Sequence, residues 1–514
     1  MRLFAEKERA YKWQDWVALA IGVGAAGALG LSQITKGSIW FDEAFSEHIT
    51  RHSFFDIARY TAVDVHPPLY YWALKIWRSF FGNSELALRS MSLMFLLLAI
   101  VMSFVLVRRY FNRKAAVASV ILLAVSPMLF RYGIEARMYT MEVFIAISAT
   151  YILLRAFNSR NRRLWALYGA LVGLGMLTHY LSAIVWLAHA LWLYLQMSQK
   201  TFALSVKKML KMGYGLSIIS GLAVSLIWLP FMITQLVHIQ GGGFWIASVT
   251  VNTLPNYITN LYMYLDSDQA NGWIALGLML LFGMTVRMIL TVLRQFKGLE
   301  KQAYSLLITT AIAPPILLFL ASMPPLRSSF VDRYLLPSIA IWMVAVAVTC
   351  VYMDTKKARY VFPKTVMVVT ALTMAAGCGN VIGAGNLNKD NNSTHTMRTA
   401  MATIREHSIN NEPIIADSSW KYYEASYYER LPQKVYFQSE DYTKIGAYEM
   451  LRNEIGNKIL DLDEFGRANE VAWYITAQPR DTASRTPKNW HPTKTYYVEG
   501  SKELRVIKMN YRVD

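Results

Sequence analysis

Eleven apolar stretches, each near the length that crosses a hydrocarbon layer, recur between residues 15 and 384 and leave few folds open to the chain. They run over 15–35, 91–107, 115–130, 139–154, 164–180, 181–197, 212–235, 272–293, 303–323, 334–353 and 361–384. Lipid offers backbone groups no partners, so each stretch must close its hydrogen bonds within itself as a helix. The expectation is a polytopic α-helical membrane protein with about eleven transmembrane helices, and a hydrophobic content of 54% over 514 residues agrees.

Lys and Arg placement orients these spans independently of hydropathy, because basic residues at span ends are retained on the cytoplasmic side. Four basic residues fall in each of the N-terminal arm (Arg2, Lys7, Arg9, Lys12) and the segments 108–114, 155–163, 200–211, 287–301 and 356–364. The intervening loops together hold ten, and the long loop 236–270 holds none. The N-terminus is therefore expected in the cytoplasm and the C-terminus outside, in a multi-pass plasma-membrane protein. The first span follows a basic arm without a small-residue cleavage site and reads as an uncleaved anchor.

Residues 1–384 form the expected transmembrane domain and 385–514 an expected extracytoplasmic domain. The tail carries 18 Lys plus Arg against 18 Asp plus Glu, so the whole net charge of +18 belongs to the membrane part. That excess is spread in small clusters over cytoplasmic turns, which argues against a nucleic-acid partner. Short strands are expected at EPIIADSS, KVYFQS and VAWYITA, and helices at MRTAMATIREHS and YTKIGAYEMLRNEIG. A small α/β soluble domain follows. The two cysteines, Cys350 and Cys378, both lie in apolar spans and read as packing residues.

Just beyond the first span stand Asp42 and Glu43, where the chain emerges on the outer face. Asp42 has two readings: helix N-cap, or a base positioned for chemistry at the membrane surface. Downstream, Pro67 and Pro68 announce an amphipathic helix with an apolar stripe of Leu69, Trp72, Ile76, Trp77 and Phe80, beside Lys75 and Arg78. His66 immediately precedes it.

Other outer-face pieces carry ionisable groups that are costly near a bilayer unless they face a polar cavity. In RYGIEARMYTME, a continuous helix would place Arg131, Glu135, Tyr139 and Glu142 on one face with Arg137 opposite. The competing reading makes Arg131 and Glu135 a plain ion pair and puts Tyr139 in the interfacial aromatic belt. LTHY supplies His179, VDRYLLP supplies Arg333 and Tyr334, and GGGFWI supplies Trp245, which reads as an interface anchor. His66 and His179 lack the paired spacing of a zinc helix motif, so no metal site is expected.

Taken in chain order, FDEAFS, HPPLYYWALKIWRSFFGNSELALRSMS, SPMLFRYGIEARMYTME, MLTHYLS and DRYLLPSIA resemble the GT-C superfamily of membrane glycosyltransferases, in particular family 39 and the dolichyl-phosphate-mannose-protein mannosyltransferase-like group. The resemblance runs from about residue 13 to residue 345. It implies inverting transfer of one sugar from a polyprenyl-phosphate carrier to a glycolipid, cell-envelope glycan or protein acceptor on the outer face. By that resemblance Asp42 is the catalytic acid/base residue, with Glu43 beside it holding helix or acceptor. Arg137, Arg333, Lys75 and His66 are then the groups that meet the donor phosphate, and no cofactor or divalent metal is implied. The tail resembles the exported C-terminal domains of prokaryotic members.

Two readings of a different class remain. A transporter or flippase of a lipid-linked sugar needs charges near mid-membrane, for which Glu142 and His189 are the candidates. A non-catalytic binder of such a lipid needs the same polar groups and no base.

Overall fold

The computed structural model describes residues 11–159, 161–198, 202–241, 246–265, 271–353, 362–383, 396–438, 449–452, 454–501 and 503–513. The chain forms two compact units, one of Met1–Ser32 with Ser90–Gly383, the other of Gln33–Arg89 with Ala384–Asp514. The C-terminal segment thus folds together with Gln33–Arg89.

The first unit is helical throughout. Among the described residues eight helices are long and apolar enough to span: Trp13–Gln33, Glu85–Tyr110, Tyr139–Asn158, Leu204–Gln235, Gly272–Gln295, Gly298–Ala321, Asp332–Tyr352 and Pro363–Gly383. Three of the eleven expected spans depart from this length. Stretch 115–130 breaks into Arg113–Ala124 and Pro127–Gly133, bent by 61°. Pro127 has no N–H to continue the ladder and its ring opposes the preceding turn, so the second helix starts afresh with proline in its first turn. The Cys378 thiol donates to the carbonyl of Val125 at that break (3.2 Å). Stretches 164–180 and 181–197 become Arg162–Thr178 and Ser182–Met197, helices of 17 and 16 residues.

Asp332–Tyr352 is 94% buried and packs against Arg113–Ala124, Tyr139–Asn158, Gly298–Ala321 and Pro363–Gly383, which makes it the axis of this unit. Trp13–Gln33, only 28% buried, lies at its periphery. Arg162–Thr178 and Gly215–Ser225 approach closely enough that a Cβ on Gly173 would sit 2.7 Å from the Gly221 carbonyl oxygen. Small residues at such spacing allow backbone-level contact where no hydrophobic force separates helix from lipid. At the Asp15 end of the first span, Arg108 and Arg113 each approach the buried Asp15 carboxylate at 3.2 Å. His189, deep in its helix, meets the hydroxyls of Thr150 (3.1 Å) and Tyr168 (3.2 Å).

The second unit holds a six-stranded sheet: β1 (Ile414–Ala416), β2 (Val435–Gln438), β3 (Lys458–Ile459), β4 (Val471–Ala477), β5 (Trp490–Tyr497) and β6 (Leu504–Tyr511). The order is β3-β2-β1-β4-β6-β5. The first four run parallel, and β6 and β5 add antiparallel. Ile415, Ile459, Ala472, Trp490 and Met509 form a core on one face. The three strands expected from EPIIADSS, KVYFQS and VAWYITA are β1, β2 and β4, and the first expected tail helix is Met397–His407. The second expected helix lies mostly outside the described residues, which retain Glu449–Arg452 of it as helix.

Three short helices of Gln33–Arg89 join this sheet domain: Phe41–Ile49, Phe54–Ala62 and Leu69–Phe81. Phe41 stacks on Trp420 at 4.4 Å, and Phe45 meets the edges of Tyr71 and Tyr423 at 6.0 Å. The Tyr428 hydroxyl accepts from the Ile39 N–H (2.7 Å), and Tyr427 donates to the Asn83 carbonyl (2.8 Å). Arg398 is clamped onto Glu85 and donates to the carbonyls of Thr35 and Gly37. The helix after Pro68 buries Tyr70, Tyr71 and Leu74 and leaves Ile76, Phe80 and Phe81 exposed, the disposition of a helix with an apolar face for lipid.

Candidate active site

Asp42 occupies the first turn of Phe41–Ile49, but the N-cap is Trp40, with no side-chain cap. The capping reading of Asp42 is therefore corrected: its half-buried carboxylate sits where the helix dipole favours negative charge without serving as the cap. The Glu424 carboxyl instead accepts from the Phe41 N–H across the unit. Burial pushes Glu424 up to about 8, against the pull of Lys421 and that N–H, with Glu43 adding to the rise.

Glu43 is engaged completely. Arg89 grips it with two parallel bonds, Nε to Oε1 at 2.7 Å and Nη2 to Oε2 at 2.6 Å, and both side chains are buried. The same guanidinium donates to the carbonyls of Ile34 (2.8 Å), Gly37 (2.8 Å) and Ser38 (3.0 Å). This arrangement fixes the turn leading into the Asp42 helix. It makes Glu43 a positioning group.

Lys75 donates to the Thr50 carbonyl (3.3 Å) and lies over the Phe54 ring at 5.7 Å. His66 faces Asp64 at 3.5 Å. Arg51 and Arg78 both pair with Glu47, at 2.8 and 2.7 Å, a carboxylate absent from the sequence-derived candidates. His48 and His52 are also absent from them. Their spacing of four residues is visible in the sequence, whereas the Glu454 they meet comes from the distant tail and leaves no local signal.

In the first unit, RYGIEARMYTME is not one helix. Pro127–Gly133 ends at Gly133, a turn covers 134–138, and a new helix begins at Tyr139. The shared-face expectation fails with that break. Arg131 still pairs with Glu135 at 2.5 Å, so the ion-pair reading of these two holds. The Arg137 carbonyl accepts from Ser92 (3.0 Å), and its side chain is buried.

The break turns Tyr139 inward, away from any aromatic belt. The Arg333 guanidinium lies 5.9 Å from the centre of the Tyr139 ring and 5.6 Å from that of Tyr334. The His179 ring lies tilted 4.7 Å from that of Tyr334 and edge-on 6.3 Å from that of Tyr139, and its Nδ1 is 3.7 Å from the Glu142 carboxylate. Tyr132 meets the edge of Tyr139 at 5.2 Å and is within electrostatic reach of Arg333, Arg131 and Glu135. Asp332, beside Arg333, accepts from Asn260 at 2.6 Å. Arg333, Tyr334, Tyr139, Tyr132, His179 and Glu142 are all buried. Segments 37 positions apart (Glu142 to His179) and 154 positions apart (His179 to Arg333) thus supply one polar cluster inside an apolar unit, with a cation, an imidazole, a carboxylate and phenol faces.

Of the residues singled out from sequence, Arg333, Tyr334, Tyr139, His179, Glu135 and Arg137 belong to the first unit; Asp42, Glu43, Lys75 and His66 belong to the second. Trp245 lies outside the described residues.

Comparison with known proteins follows the same outline. A family model described as dolichyl-phosphate-mannose-protein mannosyltransferase matches residues 65–228. No curated protein sequence matches the chain. The crystal structure of ArnT from Cupriavidus metallidurans bound to undecaprenyl phosphate is similar at 14% identity and a TM-score of 0.64, over 97% of this chain and 98% of that one. The apo ArnT structure from the same organism matches at 14% identity and 0.62, over 96% and 98%. The chain is an integral membrane protein with the ArnT fold over nearly its whole length, and its resemblance to the dolichyl-phosphate-mannose-protein mannosyltransferase group is borne out in sequence over residues 65–228.

Proposed function

We propose that this chain transfers a single sugar, with inversion, from a polyprenyl-phosphate-linked donor to a hydroxyl of a glycolipid, cell-envelope glycan or protein at the outer face of the plasma membrane. The observation that carries the reading is the buried cluster of Arg333, Tyr139, Tyr334, His179 and Glu142. A guanidinium set among phenol and imidazole faces matches the oxygens of a phosphate, and a lipid-borne phosphate is such an anion at a membrane. The ArnT fold, solved with undecaprenyl phosphate in that protein, supports the same donor class.

In this reading Asp42 takes the proton of the attacking hydroxyl while the new glycosidic bond forms on the face opposite the breaking bond to phosphate. Arg333 and Arg137, helped by Lys75 and His66, stabilise the charge that builds on the departing phosphate oxygens. Glu43, held by Arg89, keeps the Asp42 helix in register. The chemistry proposed needs no divalent metal, and the same reading puts the N-terminus in the cytoplasm and the tail outside. A flippase reading is weakened because His189 is already occupied by Thr150 and Tyr168.

The test is transfer of label from a polyprenyl-phosphate sugar by protein reconstituted in lipid. Asp42→Asn should abolish transfer while the variant inserts, folds and still binds the polyprenyl phosphate. Transfer at the parental rate would remove Asp42 as base. Wild-type binding without any turnover across sugar donors would favour the non-catalytic reading.

A further inference from the structure

The helix that carries Asp42 ends in a second constellation. His48 lies in its last turn, and the chain continues through a turn in which the Arg51 N–H donates to the His48 carbonyl (3.0 Å) and the His52 N–H to that of Ile49 (3.3 Å). Helix-like continuation puts the two imidazoles, four residues apart, on one side with ring centres separated by 6.0 Å. Glu454, from the sheet domain of the same unit, closes the third side with its Oε1 2.7 Å from His48 Nε2. One ligand-type atom from each of the three lies within 4.8 Å of the others.

A single hydrogen bond does not account for this cluster. His48 is 2% exposed, yet its Nδ1 has no hydrogen-bond partner, and the buried Nε2 of His52 has none either. Buried polar atoms in native proteins are paired almost without exception, so two orphan imidazole nitrogens beside one carboxylate call for a further ligand. Arg51, a cation within electrostatic reach of His52 and Glu454, is itself paired with Glu47 at 2.8 Å. Aromatic walls complete the surroundings: Tyr423 edges His48 at 5.0 Å and Tyr60 edges His52 at 5.0 Å.

We infer that His48, His52 and Glu454 bind one divalent transition-metal ion of the zinc type, which clips the first outer segment to the C-terminal domain. Two imidazoles and a carboxylate suit Zn²⁺ and its neighbours rather than Ca²⁺ or Mg²⁺, which take all-oxygen shells. Ligand atoms around a tetrahedral zinc stand about 3.4 Å apart, given bonds near 2.0–2.2 Å, so only small shifts of Glu454 and the two rings close the shell. Water takes the remaining position. His48 and Asp42 are separated along the helix by about 9 Å, from a rise of roughly 1.5 Å per residue. The ion is therefore structural: it sets the far end of the Asp42 helix without entering the transfer chemistry.

The experiment uses the full chain purified in detergent through a tag free of histidine, stripped with chelator and titrated with Zn²⁺, then with Co²⁺ to read coordination from visible absorption. Expected are one equivalent bound, a cobalt spectrum of tetrahedral intensity, and a higher melting temperature on zinc addition. His52→Ala and Glu454→Gln, both at partly exposed positions, should each weaken zinc binding by roughly tenfold or more and abolish the zinc-dependent thermal shift. His407→Ala, outside the cluster, should bind as wild type. Failure of the stripped wild type to take up zinc, or equal affinity in His52→Ala and Glu454→Gln, overturns the inference whether or not the chain transfers sugar.

Discussion

Both oxygens of Glu43 are held by Arg89, at 2.7 and 2.6 Å, although the two residues are 46 positions apart. Of the neighbouring carboxylates, Glu43 is thus spent on architecture, whereas Asp42 is half-buried and is the one proposed as base. Breaking a buried pair from one side leaves an uncompensated charge and costs about 3–5 kcal/mol. Arg89→Met should be the more damaging change, because it also strands the carbonyls of Ile34, Gly37 and Ser38. Glu43→Gln keeps one acceptor for the guanidinium and should cost less. Thermal unfolding in detergent should rank wild type and Asp42→Asn together, then Glu43→Gln, then Arg89→Met. An Asp42→Asn protein as unstable as Arg89→Met would contradict this division.

Arg333 tests the phosphate reading. Removing one preorganised donor to a developing anion typically lowers turnover by about 10²–10³-fold. Arg333→Ala should show a loss of that order in kcat/KM for the lipid donor, with Arg333→Lys recovering part of it, because a point charge replaces the fork and its contact with Tyr139 and Tyr334. Arg137→Ala should raise the donor concentration needed for half-maximal rate. Donor kinetics unchanged in both variants would take the phosphate away from this cluster.

Glu424 gives the second unit a pH dependence with a defined sign. Its carboxyl titrates near 8 in the fold, against an ordinary value of 4.5. Below the lower value both folded and unfolded chains hold the proton, and the group is neutral to stability. Between the two values the unfolded chain releases the proton while the folded chain keeps it, so stability falls as pH rises through the window. The loss amounts to on the order of a few kcal/mol by pH 8. Glu424→Gln should match wild type near pH 4.5 and exceed its melting temperature increasingly toward pH 8. A difference that stays flat across this range would show that Glu424 ionises normally.

Much of the architecture was legible because lipid and sheet both impose periodicity. Long apolar runs marked the spans, Pro68 marked the start of the helix Leu69–Phe81, and short apolar runs marked β1, β2 and β4. Where apolar composition ran unbroken across a backbone breaker, as at Ser126–Pro127, hydropathy alone concealed the bend. Strand β5 was missed because Pro492 lies within it, at a register shift between Pro492 and Lys494 that blurs the alternation. Pairings such as Glu43 with Arg89, His48 with Glu454 or Arg398 with Glu85 join residues tens to hundreds of positions apart. No local pattern encodes them. For the same reason individual candidates such as His179 and Arg333 were visible, while their convergence with Tyr139 and Glu142 was not.

The contact of Gly173 with Gly221 links packing to the polar cluster. A Cβ at Gly173 would stand 2.7 Å from the Gly221 carbonyl oxygen and 2.8 Å from Val224 Cβ, too close without separating the helices Arg162–Thr178 and Gly215–Ser225. Overpacking of this kind costs typically about 1–3 kcal/mol. The helix Arg162–Thr178 ends at His179, whose Nδ1 is 3.7 Å from Glu142 and whose ring lies 4.7 Å from Tyr334. Pushing that helix outward therefore moves the imidazole, and displacement of about an ångström in a preorganised site is enough for a roughly 10²-fold loss. Gly173→Leu should lower the melting temperature and reduce transfer in the folded fraction. Gly277→Leu is the matched control: a Cβ there meets nothing within 4 Å and the change gains helix propensity, so stability and transfer should both hold. Melting curves paired with transfer assays normalised to folded protein decide it, and equal behaviour of the two variants would uncouple this helix contact from the cluster.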